Sequence, residues 1–180
     1  MPLTAPDPPL ADEAVLLRPW EPRDLAVVEE ACRDPYVPFV STIPTPYADA
    51  EGLAWIERQR RRSPTDGLSL AIVDRDADRA AGAAFLNLRR AGYAGVGYWL
   101  VRPARGRGLT LRAVRLLSRW AVTEGGVRRL EALIEPWNEA SQRVAEGAGF
   151  RREGVLRAYV PVGDRLADVA VYSLLPGDLA

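Results

Sequence analysis

A chain of 180 residues with 48% hydrophobic content is long enough for one sizeable core and short for two, so one domain is expected. Its 24 basic residues, all arginine, equal its 24 acidic ones, which argues against a general affinity for nucleic acid or an acidic membrane. With no histidine, no lysine and the single Cys32, the chain excludes imidazole bases, Ser-His triads, lysine Schiff bases, disulfides and histidine or thiolate metal sites.

Residues 1–13 are proline-rich and acidic, without the charged-then-apolar order of a leader, and are expected to form a flexible arm before a domain spanning 14–180. No apolar run reaches the ~18 residues of a membrane span, so the cytoplasm is the default compartment. "AVLLRPW" (14–20) predicts a strand, and 21–34 a helix starting near Asp24. "PYVPFVSTIPTPYA" holds too much proline for either element and is expected as a long loop, a kind of segment that often carries function. A second helix over 49–62, capped by Asp49, ends in arginines. These could bind an acidic partner but also complement the helix dipole, and a solvated face is the reading adopted.

Three apolar strands follow: 68–74 and 80–89 around the turn "RDAD", then 95–101. After Pro103 the period changes from 2 to 3.6, with Ala113, Leu116, Leu117, Trp120 and Ala121 on one helix face. A strand at 127–135, a short helix in "NEASQRVAEGAGF" and a closing hairpin around "VGD" complete the order β-α-α-β-β-β-α-β-α-β-β. The fold class is therefore α/β (α+β), a mixed, mostly antiparallel sheet. Its one strand-helix-strand crossover, at 95–135, is of a length that joins two parallel strands, right-handed by the usual rule.

The junction "RGRGLT" (105–110) places Gly106 and Gly108 between arginines at the start of a helix. Free N–H groups of a first helical turn and the macrodipole make such a junction an anion cradle, and flanking arginines can add charge-assisted contacts. Neither a Gly-Lys-Ser/Thr P-loop nor a GxGxxG fingerprint is present. An ordinary tight turn remains the alternative on these residues alone.

The same residues resemble motif A of the GNAT superfamily of acyl-CoA-dependent N-acetyltransferases, Q/R-x-x-G-x-G/A. Arg105 takes the first place, Gly106 and Arg107 the variable ones, Gly108 the first motif glycine, Leu109 the next variable place, and Thr110 stands where glycine or alanine is usual. "LLRPWEPRDL", "VGYWLVRPARGRGLTLRAV", "VRRLEALIEPWNEASQRVAEGAGFRREGVLR" and "DVAVYSLLPGD" look like successive blocks of the RimJ/RimL-like branch, whose named members acetylate protein N-termini.

The resemblance implies a GNAT fold with a splayed parallel strand pair flanked by helices, and acetyl-CoA or another acyl-CoA as cosubstrate with no metal. The pantetheine arm would pair near Tyr98, Leu100 and Val101, and the pyrophosphate would meet 105–110. The family's tyrosine donor falls on Ala145. The branch offers Ser141 instead as proton donor to the leaving thiolate, with Asn138 holding the cofactor arm; both also suit purely local roles in a helix's first turn. Glu135 and Asp168 are candidate bases, with water as the competitor. Asn87 and the loop aromatics Tyr36, Phe39 and Tyr47 are candidate acceptor walls, or loop packing. The implied reaction is direct attack by a primary amine, of a protein N-terminus or a small molecule, on the thioester. A homodimer is left open, and a CoA-binding sensor without turnover is the competing reading.

Overall fold

All eight residues of the strand Gly67–Asp74 are buried, because helices cover both faces of the sheet to which it belongs. The computed structural model describes residues 3–90 and 92–179. Its strands are β1 (Leu10–Ala11), β2 (Val15–Arg18), β3 (Gly67–Asp74), β4 (Arg79–Arg90), β5 (Tyr93–Leu100), β6 (Arg129–Ile134), β7 (Arg151–Val162) and β8 (Arg165–Leu174). They form a single sheet in the order β1-β2-β3-β4-β5-β6-β8-β7, antiparallel except for β5 and β6. The helices are α1 (Leu25–Cys32), α2 (Val37–Val40), α3 (Asp49–Arg60), α4 (Leu109–Thr123) and α5 (Glu139–Gly147). The mixed, mostly antiparallel α/β architecture read from the sequence is the one observed.

Strand alternation sorts the two faces. On β4 and β5, Ala83, Phe85, Gly97 and Trp99 lie on one face, and Ala84, Leu86, Val96 and Tyr98 on the other. Trp99 belongs to an aromatic cluster: its ring stacks on Trp20 at 6.0 Å, and Trp55 of α3 meets Trp20 edge-on at 4.9 Å. The α4 helix buries Ala113, Leu117, Trp120 and Ala121 of the predicted stripe; Leu116 is half-buried, and Val114 and Ser118 are buried beside them.

The sequence expectations need three corrections here. Leu10–Ala11, expected in a flexible arm, pairs with β2, and Leu3 is buried with its N–H on the Pro64 carbonyl. Within the proline-rich loop, Val37–Val40 form one helical turn, because the Asp34 carboxylate accepts the N–H groups of Tyr36 (2.9 Å) and Val37 (3.0 Å). Asp49 is the first residue of α3 and not its cap; Ala48 holds that place in extended backbone without a side-chain bond.

The parallel pair is the feature that positions the site. β5 and β6 are joined only at Tyr93–Arg129, Ala94–Leu130 and Gly95–Glu131. Beyond these the strands part, so β5 from Val96 onward has a sheet neighbour on one side only, β4. Each buried backbone group left without a partner is costly, so such a gap invites something to fill it.

Candidate active site: a parted strand pair and a glycine cradle

The N–H of Val101 donates to the Ala81 carbonyl across β4 at 2.9 Å. By the alternation of antiparallel pairing, Leu100, Tyr98 and Val96 turn their backbone groups to the gap. The expectation for Tyr98 and Leu100 therefore has a backbone to support it. Val101 does not share it, since its N–H is committed to β4. The Leu100 carbonyl is already met by Arg105, whose Nε donates to it at 2.9 Å.

Gly106 and Gly108 answer why the junction holds two glycines. Both have left-handed backbone, at φ +79° and +77°, where a side chain would be strained, and a Cβ on either would meet nothing within 4 Å. Gly108 caps the 15-residue α4 with no side-chain bond, and the N–H groups of a first helical turn have no partner within the helix. Leu109 anchors the turn in the core, and Thr110 is half-buried beside it. This cradle, with room for a phosphate and amides and dipole to hold it, fits the diphosphate of an acyl-CoA.

The arginines are placed differently from the expectation. Arg105 Nη2 bonds Asp34 at 2.6 Å, and Arg107 pairs with the buried Asp74. Burial pushes the carboxyls of Asp34 and Asp74 up, but backbone N–H donors and these guanidiniums outweigh it and hold both below the usual range. Arg105 thus ties the cradle to the loop after α1, and Arg107 ties it to the end of β3.

Across the gap, Asn138 is the N-cap of α5, and its Oδ1 accepts the Ser141 N–H at 3.1 Å. The local capping role is realised, and it fixes Ser141 toward β5. Ser141 Oγ donates to the Tyr98 phenol at 2.9 Å, and that phenol donates to the Ser141 carbonyl at 3.0 Å. Burial pushes the Tyr98 phenol up to about 12, so it stays protonated at neutral pH. Ala145 is buried, and its methyl has no proton to donate. The sequence reading missed the side chain of Tyr98; the alternation that sends Trp99 to one face and Tyr98 to the other was the available signal.

The two candidate bases fare unequally. Glu135 is buried and accepts from the Tyr36 hydroxyl (2.9 Å) and Arg165 (2.5 Å). Burial pushes its carboxyl up, but Arg165, Trp137 and Tyr36 together hold it below the usual range. Asp168 is exposed and accepts the N–H of Ala158, which sits at φ +46° in the β7 bulge; that bond stabilises the bulge. Neither carboxylate is bonded to Ser141.

Of the expected acceptor walls, Tyr36 stands edge-on to Trp137 at 5.0 Å, and exposed Phe39 lies against the hairpin turn at Gly163. Tyr47 packs between Leu25 and Gly52 and is a packing residue. Asn87 borders a cavity of about 450 Å³ beside β4 and β5, with Trp55, Trp99 and Phe85 as aromatic walls.

A model of the acetyltransferase (GNAT) domain matches residues 14–151. The uncharacterized N-acetyltransferase p20 of Bacillus licheniformis is 30% identical over 175 residues, which cover 95% of this chain and 98% of p20. Among solved structures, a GNAT-family acetyltransferase from Bacillus anthracis superposes with a TM-score of 0.80 at 18% identity, over 93% of this chain and 98% of that one. RimL, a ribosomal alpha-N-protein acetyltransferase in complex with coenzyme A, gives 0.73 at 18%, over 91% and 95%. No described helix is long and apolar enough to cross a membrane.

Proposed function

Because the chain belongs to the GNAT acetyltransferase family, we propose that this N-acetyltransferase moves an acetyl group from acetyl-CoA to a primary amine, of a protein N-terminus or a small molecule, by direct attack. The observation that carries this reading is the parted β5–β6 pair ending beside the Gly106–Gly108 cradle. A protein N-terminus is supported by the RimL likeness, which concerns the fold.

Acetyl-CoA brings the thioester as cosubstrate; the chain's residues do the rest. Backbone of Tyr98 and Leu100 would hold the cofactor arm, and 106–110 its diphosphate. As the C–N bond forms and the C–S bond breaks, the sulfur needs a proton. Ser141 Oγ is assigned that donation, and the protonated Tyr98 phenol can turn its hydrogen to Ser141 and restore it. Tyr98 regains a proton from water, which takes up the one the amine releases. Glu135, ionised and saturated with donors, is a weak proton acceptor for an amine. We assign it an electrostatic role in drawing the cationic amine inward, with water carrying its proton to solvent.

The test is thiol release from acetyl-CoA over a broad amine and peptide panel, with mass spectrometry locating the acetyl group. Acetylated product with stoichiometric thiol supports the reading. CoA binding without release for any acceptor supports the sensor, which Ala145 and Thr110 motivate.

A further inference from the structure

The four arginines between 58 and 62 separate into two kinds. Arg60 and Arg61 pair with Glu57 in solvent, at the end of α3 where they complement its dipole. Arg58 and Arg62 instead line the 450 Å³ cavity, and none of its lining residues is Asp or Glu. Half-buried Arg62 donates to the Asn87 side-chain oxygen and the Asp66 carbonyl, neither of which cancels its charge. Burial disfavours its guanidinium, opposed only by the charge of Asp66. Two like charges lining one cavity repel, and partial desolvation adds to the cost. An anion in the cavity relieves both.

The walls define the rest of such a ligand. Trp55 is held by its Nε1 bond to Thr42 Oγ1 (3.0 Å) and by contact with Trp20, which also backs Trp99. They enclose an apolar body, in a volume typical of a small-ligand site. Trp99 lies between Tyr98 and Leu100 on β5, so the cavity backs onto the strand whose backbone faces the gap.

Resting on the acetyl-transfer reading, we propose that this cavity receives the acceptor, and that the acceptor carries its own anion. It would be an amine with a carboxylate or phosphate on a compact apolar body, the anion held by Arg58 and Arg62 and the amine directed to β5. Polyamines and aminoglycosides, being polycations, would be rejected.

The test compares acceptors matched in body and differing in the anion: phenylalanine with phenylalaninamide, O-phosphoethanolamine with ethanolamine, and Asp-initiated with Asn-initiated peptides. At least one anionic partner should show a kcat/KM tenfold or more above its match, and the pair that does so identifies the source of the anion. Arg62→Ala, and more so Arg58→Ala with Arg62→Ala, should erase that preference while CoA affinity and melting temperature hold. Arg62→Lys should keep part of it, and Arg60→Ala all of it. Equal use of uncharged or polycationic acceptors, or a preference that survives in the double variant, overturns the proposal and leaves acetyl transfer standing. Absence of both thiol release and CoA binding overturns acetyl transfer itself. If CoA binds without turnover, tryptophan fluorescence titrated with the same pairs decides: anion-dependent quenching lost in the double variant supports the site, and equal quenching refutes it.

Discussion

Around the glycine cradle the arginines have partners, Arg105 on Asp34, Arg107 on Asp74 and Arg112 on Asp12, whereas across the sheet Arg58 and Arg62 face a cavity lined by no carboxylate. The same residue type thus serves two purposes. On the cradle side it fastens loops, and the unpaired polar groups are backbone amides. On the other side it is the guanidiniums that lack a bonded carboxylate, Arg62 meeting only neutral oxygens. Sequence alone invites the opposite assignment, since "RGRG" looks like the charged site and "RQRRR" like a solvated helix end.

The largest expected effect tests the chemistry that both sides serve. Ser141→Ala should lower turnover roughly a hundredfold to ten-thousandfold with CoA affinity nearly unchanged, the range for loss of a general acid. Unchanged turnover, where chemistry is shown to limit the rate, would pass the role to the Tyr98 phenol 2.9 Å away.

Next is the claim that backbone binds the diphosphate. Gly108→Val forces a branched side chain onto φ +77° and fills the open cradle, so CoA affinity should fall tenfold or more by calorimetry. Arg105→Ala should weaken CoA only severalfold, because its guanidinium already serves Leu100 and Asp34. It should also raise KM for the acceptor, since Asp34 shapes the turn at Tyr36 and Val37. If Arg105→Ala costs more CoA affinity than Gly108→Val, side-chain charge is doing the binding and the comparison is reversed.

Much of this geometry was legible in the sequence because it is local and periodic. The change from period 2 to 3.6 after Pro103 located the strand-to-helix junction, and two glycines there marked a place where backbone could approach an anion; their left-handed φ came only with the structure. Asn138 followed by Ser141 at the third helical position announced a cap, and the cap is what aims Ser141. What stayed hidden depends on contacts distant in sequence. Arg105 meets Asp34 across 71 residues, and Tyr36 meets Glu135 across 99, so neither spacing nor period could show that these charges were spoken for. Nor could the sequence tell Arg58 and Arg62 from Arg60 and Arg61; that required knowing which side of the α3 end faces β4.

The smallest effect concerns pH. In the folded chain Asp74 titrates below its ordinary value of 3.8, burial being outweighed by Arg107 and by the N–H groups of Ala77 and Asp76. A depressed carboxylate contributes stability above its unfolded pKa and loses it as pH falls through the folded value. The stability gap between the wild type and Asp74→Asn should therefore be full near pH 6 and close below about pH 4, as read from melting temperatures. Saturating CoA extends the measurement to the ligand. If Arg107 stays on Asp74, the acid limb of the gap keeps its position with ligand bound. If Arg107 turns to the phosphate, Asp74 loses its strongest partner, its pKa rises, and the gap closes at higher pH than in the free protein; the cradle would then use side-chain charge after all.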